Sequence, residues 1–395
     1  MNKRILAIIA ASFLTVSIAF SIRYGYGMLL PEMLPVLEIS KTQAGGIFAV
    51  YFLVYTLCTP AMGVLSDCFS YRLILTVFTA VLGIGALMMA FAATFFQASL
   101  FLSIAGFGHA ACWAPVVVLV QKWVPNNRRG TALSFVSMGV GSGVFLWGIL
   151  LPVIVSSTDW QTGWLALGYT ALGIALLNLI LVRNPNNNQP DQVNSKPGLK
   201  EFLSSYRKIF RQAIFWKIGV SYLLVGFNVI ILFTFLPVYT REILNVAYAV
   251  STSFISVIAF FGIVGQLLLG PLSDKVGRGR IMIVCSIFLA GSVLGILFSG
   301  STWTLYILTA CYGVGYGAVW PVYAAAASDL FPKEYSGGVV GLWTVFLGVG
   351  SIIAPVICGW LIDNTGSYSW VFQLAMSAGV LSTLLLLTVR KFSFE

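Results

Sequence analysis

The sequence contains few charged residues. Of its 395 residues only 9% are Asp, Glu, Lys or Arg, whereas 59% are hydrophobic, and the mean hydropathy is +0.94. A soluble domain carries about 25% charged residues, so this composition argues against a soluble protein. Apolar stretches of about 20 residues, the length that crosses a bilayer, recur along the chain. The composition therefore indicates a polytopic helical membrane protein.

Recognisable catalytic motifs are also missing. The chain has one histidine, His109, and six cysteines scattered within or at the ends of apolar stretches. It has no glycine-rich nucleotide loop, no nucleophile motif and no cluster of metal ligands. No Asp or Glu lies at the centre of an apolar stretch, so a carboxylate proton relay is excluded. We expect no enzyme activity, no cofactor, no metal and no disulfide framework.

Hydropathy and helix breakers predict an all-α integral membrane protein with twelve transmembrane helices. The first stretch follows Lys3 and Arg4 but is too long for a signal peptide and lacks a small-residue cleavage site, so we interpret it as a retained helix. The predicted spans are 5–30, 44–66, 73–92, 97–122, 131–155, 163–183, 214–238, 250–271, 280–299, 303–328, 337–362 and 368–390.

The net charge of +10 follows the predicted topology and is not a nucleic-acid footprint. Excess Lys and Arg marks the cytoplasmic side of a membrane protein, which predicts a multi-pass protein of the cytoplasmic membrane with both termini inside. The opposite loops hold Lys41 and Arg241, with Glu38, Asp159, Glu242 and Asp363. The basic residues on the predicted inner side are Arg4, Arg72, Arg128, Arg129, Arg183, Lys200, Arg207, Lys208, Arg211, Lys275, Arg278, Arg280, Lys333, Arg390 and Lys391.

An internal repeat divides the chain into two six-span halves, residues 1–183 and 213–395. The polar segment 184–212 between them predicts a flexible linker followed by an amphipathic helix on the cytoplasmic surface. GVLSDCFSYR (63–72) recurs as GPLSDKVGRG (270–279), and VPNNRRGTALSFVSMGVGSG (124–143) recurs as FPKEYSGGVVGLWTVFLGVG (331–350). Parallel repeats of this kind are typical of transporters whose halves rock about a central site.

The repeated segments that carry Asp67 and Asp274 resemble the signature of the major facilitator superfamily, although Cys68 and Ser70 replace the usual basic residue and glycine in the first copy. The resemblance covers the whole chain. It implies two pseudo-symmetric six-helix bundles and a functional monomer. Carboxylates at helix ends near arginines predict a cytoplasmic gate; the alternative is ordinary charges in short loops. The candidate gate residues are Asp67, Arg72, Arg128, Arg129, Asp274, Arg278 and Arg280.

Arg23 lies within the first predicted span, eight residues before Pro31, and therefore about 12 Å from its outer end. A buried charge in a span is costly and is a functional-site hypothesis by default. No acidic residue lies nearby in the spans, and a guanidinium binds a carboxylate through two hydrogen bonds. We expect Arg23 to bind an anionic substrate; the alternative is that it bonds backbone carbonyls and fixes helix packing.

His109 lies midway along the fourth span, and its repeat counterpart is Tyr316; Trp113 is similarly matched by Trp320. Histidine titrates near neutral pH, so His109 is a candidate for substrate binding and for carrying a coupled proton; the alternative is a structural histidine. The complete set of predicted substrate-binding residues is Arg23, Tyr26, Tyr51, Tyr55, His109, Trp113, Asn228, Gln266, Tyr316, Trp320 and Trp343.

These features predict a secondary active transporter that moves a small organic anion, a monocarboxylate or a sugar acid, by alternating access with proton symport. First-helix arginines are similar to those of organic-anion members of the superfamily. The main alternative is an exporter of amphipathic compounds. A non-transporting receptor or scaffold would need a soluble interaction domain, and the longest loop has only about thirty residues. The expected partners are the lipid bilayer, the anionic substrate and protons, with no nucleic acid.

Overall fold

The computed structural model describes residues 3–125, 128–184 and 207–389. In these residues it contains twelve helical segments long and apolar enough to cross a membrane, which confirms the predicted all-α class and span number. The fourth segment comprises two helices, α4 and α5. The helices are α1 Lys3–Leu37, α2 Lys41–Cys68, α3 Tyr71–Met89, α4 Phe95–His109, α5 Ala114–Trp123, α6 Arg129–Ser157, α7 Trp160–Leu181, α8 Ala213–Glu242, α9 Tyr248–Val276, α10 Arg278–Phe298, α11 Thr302–Leu330, α12 Lys333–Thr365 and α13 Ser369–Leu387.

Most of the predicted linker and surface helix lies outside the described residues; residues 207–210 form one helical turn. The predicted sidedness of Lys200, Arg390 and Lys391 also lies outside them. Asp67 falls within α2, but its side chain is outside the part of the chain that the structure describes.

A break divides the fourth span into two helices, and a proline lies beside it. Pro115 lies in the first turn of α5 and has no N–H with which to bond the carbonyl one turn earlier, so one bond of the helical ladder is missing there. Residues 110–113 connect the two helices, and His109 is the last residue of α4. The break therefore fixes His109 at a helix C-terminus inside the membrane.

Each half is held by a buried polar cluster at a junction of three helices. In the N-terminal half, the Asn178 amide on α7 donates to the hydroxyl groups of Thr15 on α1 at 2.8 Å and Thr79 on α3 at 3.4 Å. In the C-terminal half, Ser382 on α13 bonds Ser221 on α8 at 2.8 Å and Ser286 on α10 at 3.0 Å. The paired positions are separated by 204 to 207 residues, the register of the sequence repeat. The two bundles therefore have polar interhelical contacts at equivalent positions.

The halves meet along α2 with α12, α6 with α9, and α1 with α8. A Cβ built on Gly359 of α12 would lie 2.2 Å from the Lys41 carbonyl of α2, and one built on Gly348 would lie 2.4 Å from the Thr56 hydroxyl. On Gly341 and Gly337, further along the same helix, it would meet no described atom within 4 Å. The two helices therefore touch at the end that carries Lys41, here called the closed end. Gly341 and Gly337, towards the end that carries the signature segments, are exposed, and that end is here called the open end.

Candidate functional site

Arg23 is enclosed in the middle of α1. The residue is 5% exposed, and its guanidinium carbon lies 4.2 Å from the ring centre of Tyr55, 4.7 Å from Phe20 and 5.2 Å from Phe52. A cation over an aromatic face is attracted by the ring quadrupole. The aromatic rings therefore stabilise the charge without neutralising it.

Tyr51 connects Arg23 to His109. Its hydroxyl accepts from Arg23 Nε at 3.2 Å and lies 2.6 Å from His109 Nδ1. Because the oxygen accepts from arginine, its own proton is free to donate to Nδ1. The pattern thus assigns the neutral ring a proton on Nε2. Gly106 permits the contact, since a Cβ there would lie 2.7 Å from the Tyr51 carbonyl.

One donor of this group has no partner: Arg23 Nη2 is buried and makes no hydrogen bond with the described protein atoms. Buried polar groups are normally paired, and leaving a donor unpaired costs about 1–3 kcal/mol. In the described part of the chain no ion pair involves Arg23. The site is therefore suited to a ligand that accepts hydrogen bonds and carries negative charge.

The C-terminal half faces this group with aromatic side chains. The hydroxyl of Tyr316 on α11 donates to that of Tyr24 on α1 at 3.2 Å, and the Tyr24 ring stacks on Phe233 of α8 at 4.0 Å. Trp320 lies 5.9 Å from Tyr316 between ring centres, and its buried Nε1 has no partner among the described atoms. The sequence analysis missed Tyr24, and its position beside Arg23 was the available signal.

Other predicted substrate residues lie elsewhere in the bundles. The Tyr26 hydroxyl donates to the Ala44 carbonyl at 2.7 Å. Asn228 donates to the Ala375 carbonyl at 2.6 Å and accepts from Tyr312 at 2.7 Å, and Trp343 donates to the Phe215 carbonyl at 3.0 Å. These polar groups are already paired within their own halves. The two remaining candidates, Trp113 and Gln266, are half-buried.

Four of the predicted gate residues, Arg72, Arg129, Asp274 and Arg278, contact groups within their own halves. Arg278 pairs with Asp274 one turn away and with Asp329 of α11, at 3.2 Å from Nε. In the N-terminal half, Arg72 Nε donates to the Leu179 carbonyl at 2.6 Å, and Arg129 Nε donates to the Val124 carbonyl at 3.0 Å. Arg128 is the residue before α6, and Arg280 lies in the first turn of α10. Among the described side chains, these contacts of Arg72, Arg129 and Arg278 stay within one half of the protein.

Contacts of charged residues between the halves lie at the closed end, and the sequence did not predict them. Asp363 of α12 accepts from the backbone N–H groups of Lys41 and Thr42 at 2.9 and 2.8 Å, and from the Thr42 hydroxyl at 2.5 Å. Lys41 forms an ion pair with Glu242 of α8. Arg241 lies 3.7 Å from Glu32 of α1. The sequence marked most of these charges as outer-loop residues but gave no pairing between them.

Electrostatics supports the contacts at this end. Tyr368 donates to Glu242 at 2.7 Å, and burial, together with the hydrogen bond and charge of Glu242, raises the pKa of the tyrosine hydroxyl. Tyr368 therefore remains a donor at neutral pH. Asp159 accepts from the Thr162 N–H at 2.7 Å and from its hydroxyl at 2.8 Å, and these bonds lower the pKa of the carboxyl. This carboxylate caps a helix of its own half, in contrast to Asp363, which caps a helix of the other half.

Two helical bundles that span the membrane and meet at a buried polar site define a membrane transport protein. The sequence model of the Major Facilitator Superfamily matches residues 12–302 and 255–393. The chain belongs to this superfamily, and it is a transporter and not an enzyme.

Similar proteins agree with this assignment. The chain is 22% identical to a probable sulfoacetate transporter, SauU, of Cupriavidus necator, over 93% of this chain and 90% of that protein. It is 24% identical to a probable galactarate/D-glucarate transporter, GarP, of Escherichia coli, over 90% and 88%. It is 23% identical to monocarboxylate transporter 12 of Mus musculus, over 88% and 78%.

Solved structures share the fold. A bacterial homolog of the human lysosomal transporter Spinster has a TM-score of 0.79 and 16% identity, with coverage of 100% of this chain and 99% of that one. The nucleoside transporter NupG has a TM-score of 0.79 and 12% identity, with coverage of 96% and 99%. These neighbours confirm the predicted fold of two six-helix bundles.

Proposed function

We propose that the protein is a secondary active transporter for a small organic anion and that Arg23 binds the anionic group. The observation that carries this proposal is the unpaired Nη2 of a buried guanidinium. An arginine cannot lose its charge at physiological pH, and an uncompensated buried charge is strongly unfavourable. An anion in the site would supply both the missing charge and the missing acceptor.

The names of the relatives support the substrate class. Sulfoacetate, galactarate, D-glucarate and monocarboxylates are all organic anions. The shared regions cover most of each protein, so the resemblance extends over both bundles. These names favour a monocarboxylate or a sugar acid over an amphipathic drug.

Alternating access is the proposed mode of transport. The halves touch at the closed end, so the open end would be the exit of the central site in this conformation. The basic residues of the signature segments lie at the open end, so the bias of Lys and Arg supports a cytoplasmic position for that end and for both termini. Transport would require the closed-end contacts to separate and the signature segments to approach each other. We propose that the protein is a functional monomer in the cytoplasmic membrane.

Proton coupling would proceed through His109 and Tyr51. Protonation of Nδ1 turns this atom into a donor, so the Tyr51 oxygen would accept from both His109 and Arg23. The Tyr51 proton would then be released to bond an anion held on the guanidinium. The C-terminal end of α4 also favours a positive charge on its last residue. A proton on His109 would thus strengthen anion binding, as proton symport requires.

Uptake of labelled mono- and dicarboxylates into proteoliposomes, driven by an inward proton gradient, tests this proposal. We expect saturable uptake of at least one acid by the native protein. Arg23→Gln should reduce that uptake at least about 100-fold, since removing one partner of a buried charge pair costs about 3–5 kcal/mol. Arg207→Gln, at an exposed position outside the bundles, is the matched control and should transport normally.

Either of two results would contradict the proposal. Uptake that is undiminished in Arg23→Gln would remove the guanidinium from the site. Failure of the native protein to transport any acid, together with export of neutral or cationic amphiphiles, would favour the efflux alternative.

A further inference from the structure

We infer that the substrate carries a single negative charge at one end and a neutral, oxygen-bearing body at the other. This inference rests on the proposed function, because it takes Arg23 as the anion site. The names of the relatives do not decide how many charges the substrate carries, since sulfoacetate and D-glucarate carry two negative charges and monocarboxylates carry one.

The first argument is the number of cations. Among the described residues, Arg23 is the single Lys or Arg away from the helix ends; the other basic residues lie in connections or within about the first or last turn and a half of a helix. One bound carboxylate neutralises it. A second carboxylate at the far end of the ligand would have to be paired by other groups, because an isolated buried charge is unfavourable.

The second argument is the chemistry of the facing half. Tyr316 and Trp320 of α11, Tyr222 of α8 and Tyr24 of α1 form a continuous aromatic group, with ring centres 5.8 Å apart for Tyr222 and Trp320. These side chains are neutral hydrogen-bonding groups. His109 could gain a charge, but it is tied through Tyr51 to Arg23, so that charge would lie at the same end as the guanidinium. No described cation is available to a distant carboxylate.

The third argument identifies the neutral body. Trp320 Nε1 is buried and unpaired, and an indole N–H can only donate. The ligand therefore needs an oxygen acceptor away from its anionic group. Tyr316 donates to Tyr24, which leaves the Tyr24 proton available for a second acceptor. The surrounding ring faces suit the C–H surface of a short carbon skeleton. A hydroxylated monocarboxylate meets all three requirements.

Matched pairs of acids test whether the substrate carries one negative charge or two. D-Gluconate and D-glucarate have the same six carbons and differ in one terminal CH₂OH or carboxylate; glycerate and tartronate differ in the same way. Uptake into proteoliposomes would be measured for all four acids, in the native protein and in Arg23→Gln. We expect the monoanion of each transported pair to have a KM at least about tenfold lower than that of the dianion. A modest free-energy penalty for one unpaired charge produces a ratio of this size.

The outcomes separate this inference from the proposed function. A dianion that is transported as well as its partner, with dependence on Arg23, overturns the single charge and leaves the anion transporter intact. Uptake of none of the acids, or uptake that does not depend on Arg23, overturns the proposed function and this inference together.

A pair of tryptophan variants tests the contact with the neutral body of the substrate. Trp320→Phe keeps an aromatic ring, although a smaller one, and removes the N–H donor; the KM for the preferred monoanion should rise roughly three- to tenfold, the value of one net hydrogen bond. Trp303→Phe is the control, because Trp303 lies on the same helix and is 79% exposed on the outer surface of the bundle. A native KM in Trp320→Phe, with normal folding, overturns the contact with the body.

Discussion

At the scale of single residues, Tyr51 holds the site together through one oxygen atom. That oxygen accepts from Arg23 and lies within hydrogen-bond distance of His109, while the ring packs at 5.8 Å from Phe48 and 5.4 Å from Phe52. The ring contributes to packing and the hydroxyl contributes to the site. The two contributions can therefore be separated by removing one atom.

Tyr51→Phe should fold normally but lose much of its response to a proton gradient. Arg23 Nε and His109 Nδ1 would both lose a partner, and we expect the KM to rise about tenfold, for a penalty of about 1–3 kcal/mol. The measurement is uptake with and without an inward pH gradient, with thermal unfolding as the test of folding. Tyr169→Phe is the control, because Tyr169 is 64% exposed on the surface of α7. Retention of gradient stimulation in Tyr51→Phe would exclude Tyr51 from the coupling path.

The sequence identified Arg23 and His109 because one is an unneutralised charge in a span and the other is the chain's single histidine. It could not distinguish Tyr24 from Tyr26. Helical spacing favoured Tyr26, one turn from Arg23, but α1 is apolar around most of its circumference and buried along most of its length. For such a helix the sequence gives no preferred face, and the partner of each side chain depends on the neighbouring helices.

At the scale of elements, the first turn of α2 is fully hydrogen-bonded, and the other half supplies part of the bonding. Ser40 accepts from the N–H of Gln43, and the Gln43 side chain accepts from the N–H of Ser40, which is a capping box. Asp363 accepts from the N–H groups of Lys41 and Thr42. A carboxylate at a helix N-terminus is favoured by the helix dipole. The cap therefore stabilises α2 only while the closed end stays together.

Asp363→Asn should shift the protein towards separation at the closed end. Loss of a charged cap costs about 0.5–2 kcal/mol, which changes the population ratio roughly 2- to 30-fold. Spin labels on Val36→Cys of α1 and Ser301→Cys beside α11, in a protein whose six native cysteines are replaced, would report the distance across this end. We expect a larger fraction of long distances in Asp363→Asn.

Asp159→Asn is the matched control, because Asp159 caps α7 within its own half. It should leave the distance distribution unchanged. An identical distribution in Asp363→Asn and the native protein would show that this cap does not hold the closed end. The sequence marked both aspartates as outer charges; their different roles depend on which helices meet in a given conformation, and a single sequence does not specify a conformation.

At the scale of the whole molecule, the two halves share their internal packing but not their charges. The polar clusters around Asn178 and Ser382 occupy equivalent positions, whereas Arg23 corresponds to Val229 by the same register. The sequence predicted the span number and the repeat because hydropathy and repeated motifs are local signals. It did not predict the break at residues 110–113 or the contacts between halves, which depend on helices far apart in the chain.

Thr15→Val and Ser382→Ala should each destabilise the protein modestly, and their effects should add. Thr15→Val removes the buried hydrogen bonding to Asn178, and Ser382→Ala removes the bonds to Ser221 and Ser286. Each such bond is worth about 0.6 kcal/mol and at most about 1.7 kcal/mol in a membrane protein. The two clusters share no residues and lie in different bundles, so coupling between them should be small. Unfolding in detergent of both single variants and the double variant is the measurement, with an unchanged KM as the control. A double variant that differs strongly from the sum would contradict independent bundles.

The cap that crosses between the halves has a consequence for water. When the closed end opens, the N–H groups of Lys41 and Thr42 and both oxygens of Asp363 lose their protein partners, and such groups must then be hydrated. Opening therefore takes up water, and its equilibrium depends on water activity. A solute too large to enter the cleft should favour closure, as excluded osmolytes favour burial in general. Raised osmotic pressure on that side of the membrane would thus slow transport, although no inhibitor is bound to the protein.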